Sequence, residues 1–283
     1  MSSEKYSNKM TTVTIDEYFN HYVDSEDDQY ILEMFSEYND DFYDVKFEYS
    51  FDSFLFKKLQ KKYSSLYDRT CFSNSIQHLV YIRKWVHNHL TITNANRLPS
   101  FNLEKWDTYN VLNIMEEAPF ECDCGTYSMV LTEILLSMGY KARWVQCLPL
   151  DLRYDDSHVV VQVFIEEKQK WIILDPALNC CYFNVDGEPL DLSALRNSLL
   201  HQKRIIIPGN TVKEKDRLIK YWKKNIIRFH CYQQNCYRFV SNEKPKNHVY
   251  LNPKLLQIHN KIYKERNEKH YTVYNDKVFW EID

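Results

Sequence analysis

The sequence predicts an α+β fold in which a helix with a cysteine at its head packs on an antiparallel sheet, and three observations lead there. Apolar residues recur with a period of 3.6 up to about residue 139 and with a period of 2 from residue 142 onward. Helices therefore precede strands along the chain instead of alternating with them, which is the order of an α+β fold. No glycine-rich phosphate loop favours a βαβ nucleotide-binding alternative.

Residues 1–60 form an acidic, aromatic extension in which TIDEYFNHY and SEDDQYILEMFSEY have the composition of capped helical pieces. The catalytic-core candidate runs from 61 to 205. Within it, Ile76, Leu79, Val80, Ile82, Val86 and Leu90 make one apolar helix face over 75–90, and 107–117 reads as a shorter helix leading toward Pro119. The stretch ECDCGTYSMVLTEILLSMGYKAR, residues 121–143, follows. Tyr127, Val130, Leu131, Ile134, Leu135 and Met138 lie at helical spacing, which predicts a strongly amphipathic helix with one buried face. Gly139 stands where a left-handed residue ends such a helix. Strands are expected at 142–148, at HVVVQVFI (158–165) and at WIILD (171–175), the last stopped by Pro176. From 206 to 283 the chain reads as a strand-rich extension packed on the core, through IRFHCYQQNCYRFV and KHYTVYNDKVFWEI.

Composition excludes several functions. The net charge of −3 comes from 36 basic and 39 acidic residues mixed along 283, so no electrostatic footprint for nucleic acid or an anionic membrane exists. No apolar run has the length of a membrane span or the shape of a signal peptide, and a cytoplasmic protein is expected. Eight cysteines are too few for a disulfide scaffold in a chain this long. Glycine occurs only four times, so each one should answer a backbone need; at Gly125 that need would be close approach of a ligand.

Cys124 falls in the first helical turn, where unpaired N–H groups and the helix dipole favour an anion such as a thiolate. His158 opens one predicted strand and Asp175 ends the next. If 160 faces 175 across an antiparallel pair, His158 and Asp175 are diagonal neighbours on one sheet face. A one-residue slip would separate them. The competing reading is a metal site, since Cys122 and Cys124 form C-x-C, Cys180 and Cys181 are adjacent, and Cys231 and Cys236 lie close. Structural zinc asks for two well-spaced ligand pairs, and only the last pair approaches that spacing. His87 and His89 sit on different helix faces and do not form a ligand pair. No metal and no cofactor are therefore expected.

Taken together, Cys124 heading CGTYSMVLTEILLSMGYKAR, His158 in DSHVVVQVF and Asp175 in KWIILDPALN resemble the transglutaminase-like superfamily of papain-type cysteine enzymes, over roughly 120–180. The resemblance implies a papain-like core with Cys124 as nucleophile, His158 as base and Asp175 as the acid that orients it. An oxyanion would be held by the Cys124 backbone N–H and by a second donor, the Trp106 indole or a nearby amide side chain. Asp123, Gly125 and Ser157, next to nucleophile and base, are expected to border the substrate groove. The activity implied is hydrolysis of a peptide, isopeptide or side-chain amide through a thioester. The alternatives are acyl transfer to an amine and a non-catalytic binding protein with the same fold. The expected partner is a protein or peptide.

Overall fold

The computed structural model describes residues 28–43, 45–90, 107–118, 122–150, 157–236, 247–258 and 270–281. Helix α1 (Asp28–Met34), the short strand β1 (Glu48–Tyr49) and helices α2 (Phe54–Lys62), α3 (Ser75–His89), α4 (Thr108–Glu117) and α5 (Cys124–Ser137) come first. Strands β2 (Ala142–Leu148), β3 (His158–Ile165) and β4 (Lys170–Leu174) follow, then helices α6 (Leu192–Leu200) and α7 (Val212–Asn225). The chain continues through β5 (Arg228–Tyr232), β6 (Gln234–Asn235), β7 (His248–Leu251), α8 (Lys254–Ile258), β8 (His270–Val273) and α9 (Asp276–Trp280). The expected helix TIDEYFNHY lies outside the described residues.

Six strands form one sheet in the order β4-β3-β2-β5-β7-β8, so three strands from beyond residue 206 extend the sheet begun by β2 to β4. Every neighbouring pair is antiparallel except β7 and β8, which run parallel and depart from the antiparallel expectation. Strand β3 is buried at every position, as an unbroken VVV run inside a two-sided sheet requires. Its alternation divides two cores. Val160, with Ile173 of β4, faces α1, α6 and α7, whereas Val161, Val163 and Ile165 face α2 to α5.

The structure corrects the reading of α5. Instead of one buried face, all residues from Thr126 to Ser137 are buried, because the helix is wrapped by the sheet and by α2, α3 and α4. Its polar side chains tolerate this by bonding locally: Ser128 Oγ donates to Val159 O (2.9 Å), and Glu133 Oε2 accepts from Thr108 N (3.1 Å). The helix ends as expected. Gly139 takes φ +86°, Gly139 N–H donates to Leu136 O at 2.9 Å and Tyr140 N–H to Leu135 O at 3.1 Å, the double bond pattern of a Schellman stop.

Two further corrections concern the second half. The run KHYTVYNDKVFWEI is a strand only through Val273; Asn275 then caps α9 by accepting from Lys277 N, and the rest is helical. Helices α6 and α7 have no counterpart in the sequence expectations. Both start on capping side chains, and Thr211 with Glu214 makes a reciprocal capping box at the head of α7.

Candidate active site

Asp123 fixes where α5 begins. It stands in extended conformation and its Oδ1 accepts from Thr126 N and Thr126 Oγ1, both at 2.7 Å, which makes Cys124 the first helical residue. The cap serves the third residue of the helix, and the N–H groups of Cys124 and Gly125 have no acceptor among the described residues. Cys124 is half-buried, with its Sγ 4.0 Å from Ser157 O, at the point where the tip of α5 meets the first residue of β3.

On β3, His158 is 1% exposed, and Asp175 just after β4 is 0% exposed, so both are shielded from bulk solvent. His158 Nε2 donates to Asp175 Oδ2 at 2.8 Å. Register produces this contact: Val161 faces Leu174 and Gln162 faces Ile173, which sets 160 opposite 175 and brings 158 and 175 to one face. The carboxylate is held in place by two more donors, Tyr182 Oη to Oδ2 (3.1 Å) and Leu178 N to Oδ1 (3.0 Å). A two-way backbone bridge between Asp175 and Cys180 fixes the turn that presents it. Tyr182 remains a donor because burial pushes its phenol pKa well up.

With Nε2–H committed to the carboxylate, Nδ1 is the ring nitrogen left over, and it is buried without a hydrogen bond of normal geometry. Burial by itself would lower the ring's pKa. The charge and hydrogen bond of Asp175, with a smaller contribution from neighbouring Cys124, outweigh it and raise the imidazole to about 10. The ring is walled by Tyr221 and Trp222 of α7, each edge-on at 5.5 Å between centroids, and Trp222 in turn meets Tyr182 edge-on. These three aromatics were missed from sequence. The capping box of α7 was a visible signal for the helix, but nothing local says that its Tyr221 and Trp222 face His158.

The remaining expected site residues fall as follows. Trp106 lies outside the described residues. Asp123 is the cap already described, and Ser157 accepts from Gln146 Nε2 through Oγ (2.8 Å) while its carbonyl faces Cys124. Gly125 has no positive φ, and a Cβ there would meet Asp123 Oδ1 at 3.4 Å, an ordinary contact, so the helix itself does not require glycine at this position. Its carbonyl accepts from Trp144 Nε1 at 3.2 Å, which ties the first turn of α5 to β2. His87 donates from Nδ1 to Pro176 O, and His89 stacks on Trp85 at 3.6 Å, so the two histidines part as their helix faces require. All eight cysteines are free thiols. Burial pushes Cys122, Cys147, Cys180, Cys181 and Cys231 up, which keeps them protonated near neutral pH. Among the described residues no three His, Cys, Asp or Glu side chains converge as a metal site.

Comparison with known proteins agrees with this core. Residues 68–176, from the turn before α3 to the proline after Asp175, match the transglutaminase-like superfamily. That segment contains Cys124, His158 and Asp175 and has mixed α+β architecture. No curated protein matches the chain. Among solved structures, a proposed cysteine protease from Cytophaga hutchinsonii is similar at 16% identity and a TM-score of 0.32, over 55% of this chain. The match spans about half the length of that protein, 47%. So loose a likeness carries no argument about activity. Among the described residues no helix is long and apolar enough to cross a membrane.

Proposed function

We propose that this protein is a cysteine-dependent hydrolase that cleaves a peptide, isopeptide or side-chain amide through a thioester on Cys124. The observation that carries the reading is the buried His158–Asp175 bond of 2.8 Å, placed at the head of the helix that Cys124 opens. A ring held protonated at neutral pH favours a thiolate beside it, the thiol proton resting on Nδ1. The sulfur attacks the carbonyl carbon, an S–C bond forms, and the oxygen becomes an anion. The Cys124 N–H, unbonded at the positive end of α5, faces that charge. As the C–N bond breaks, the imidazolium returns its proton to the leaving nitrogen. Water then hydrolyses the thioester, His158 taking its proton. Asp175 keeps the ring in the Nε2–H tautomer through both halves. The free state of all eight cysteines fits a reducing compartment such as the cytoplasm.

The test is alkylation of the intact protein with iodoacetamide across pH 5–9, with each site read by mass spectrometry. Exposed Cys71 is an internal reference for an ordinary accessible thiol. Cys124 is expected to react faster than Cys71 near pH 6, and His158→Gln should remove that advantage while leaving Cys71 unchanged. Equal rates for the two thiols in the wild type would defeat the reading. Products then separate hydrolysis from acyl transfer: a glutamine-containing peptide incubated with a fluorescent primary amine should be hydrolysed, at the backbone or at the side chain with release of ammonia, without incorporating the amine.

A further inference from the structure

Higher on the sheet face that carries His158, a second buried charge takes no part in the proposed chemistry. Arg143 of β2 is 0% exposed. Its guanidinium lies over the Trp171 ring at 4.1 Å and the Phe47 ring at 4.7 Å. Those rings cover its faces and leave its in-plane N–H edges to be satisfied. One edge is used, since Nη1 donates to Phe279 O of α9 at 2.8 Å. Nε and Nη2 have no acceptor. Arg143 is the cross-strand partner of Gln162 on β3, which is 1% exposed and has neither its amide nitrogen nor its amide oxygen bonded.

A full positive charge buried without a counter-charge is strongly unfavourable. No Asp or Glu forms an ion pair with Arg143 among the described residues. The thiol that feels its charge, Cys231, is held protonated by burial at about 12 and supplies none. We propose that Arg143 and Gln162 form an internal binding site for a small inorganic anion of the size of chloride or bicarbonate. The Nε–H and Nη2–H pair presents the parallel donors that guanidinium offers to anions, and the Gln162 amide N–H group adds a third donor across the strand pair. A bicarbonate would also give a hydrogen bond to Gln162 Oε1, which chloride cannot. The ligand would lock the sheet to α9, whose Phe279 carbonyl shares the same guanidinium.

Thermal unfolding of the full-length protein at constant ionic strength tests this, with bulky sodium gluconate replaced stepwise by sodium chloride or by sodium bicarbonate at fixed pH. The wild-type midpoint should rise along a saturating curve with at least one of the two, the more effective one naming the ligand. Gln162→Leu should raise the half-saturating concentration about tenfold, the equivalent of one lost hydrogen bond, and Arg143→Met should abolish the response. No saturable rise in the wild type, or the same response in all three proteins, overturns the site. Should Arg143→Met fail to fold, crystals grown in sodium bromide and in sodium bicarbonate decide: an anomalous peak in the first, or a planar anion in the second, in hydrogen-bonding reach of Nη2 supports the site. A direct Arg143–Gln162 bond or a water there overturns it.

Discussion

Tyr182 Oη stands 3.1 Å from Asp175 Oδ2, the same oxygen that receives the His158 proton donor. Two donors on one oxygen and Leu178 N–H on the other leave the carboxylate no freedom to rotate. Tyr182→Phe removes one charge-assisted bond and no ring volume, so about 1–2 kcal/mol of stability should be lost, read from urea unfolding. Alkylation of Cys124 should slow by a factor of about 3–10, as an ordering effect of this size implies. An unchanged alkylation rate alongside a clear stability loss would make Tyr182 purely structural.

The pH dependence of stability follows from the raised pKa of His158. Its folded value of about 10 exceeds the unfolded value of about 6.5, so the folded state binds the extra proton. The stabilisation is therefore complete below about pH 6.5 and is lost as pH rises toward the folded value. Buried thiols act in the same direction, but only above their unfolded value of about 8.5. Cys147, Cys181 and Cys231 are raised by burial and contribute there. In a protein without the Cys124 thiolate, whose lost proton would offset the one the ring gains, the window between about 6.5 and 8.5 belongs to His158. Urea midpoints measured over that window should decline with pH in Cys124→Ala and stay flat in Cys124→Ala combined with His158→Gln. Parallel slopes in the two proteins would contradict the pairing.

Two replacements of Asp175 separate its charge from its shape. Asp175→Asn keeps an oxygen for His158 Nε2–H but loses the charge that counteracts burial. The ring's pKa should then drop below the usual imidazole value, because burial is left without its main opponent. Titration of the His158 ring protons by NMR checks this. Asp175→Ala leaves three donors, from His158, Tyr182 and Leu178, without an acceptor in a dry site. It should cost about 3–5 kcal/mol, the penalty for stranding one side of a buried pair. If the alanine variant unfolds no earlier than the asparagine variant, the site is wetter than its burial indicates.

Much of this architecture was legible because its determinants are local. The bounds of β2 and β3 follow from the β-branched and aromatic residues of ARWVQCL and HVVVQVFI, and the end of α5 follows from Gly139. The His158–Asp175 register was legible because two residues of complementary chemistry sit at the ends of adjacent strands. What failed was inference about the environment. Ser128, Thr132 and Glu133 made α5 look one-sided, yet all three are buried: Ser128 and Glu133 pack inside as bonded polar side chains, and Thr132 does so with its hydroxyl unbonded. The aromatic wall behind His158 was invisible because Tyr221 and Trp222 arrive more than sixty residues later on a helix that only tertiary packing aims. The C-terminal helix α9 was hidden by the β-forming residues Val278, Phe279 and Trp280, whose propensity yields to the Asn275 cap and to burial of Phe279.

The two glycines flanking α5 make opposite predictions. Gly139 holds φ +86°, which an L side chain adopts only with strain, so Gly139→Ala should cost about 1–2 kcal/mol even though open space surrounds the site. Gly125 has no such geometry, and its added methyl would touch only Asp123 at 3.4 Å. Alanine there gains helix propensity, so Gly125→Ala should be neutral or stabilising by up to about 1 kcal/mol. Because residue 125 adjoins the nucleophile, the same methyl reports on the groove. Alkylation of Cys124 by iodoacetamide should be unaffected, whereas a bulky peptidyl chloromethyl ketone should react several-fold more slowly if substrate runs past this residue. Equal slowing of both reagents would place the disturbance in Cys124 itself, and no slowing of either would move the groove to the other side of the helix tip.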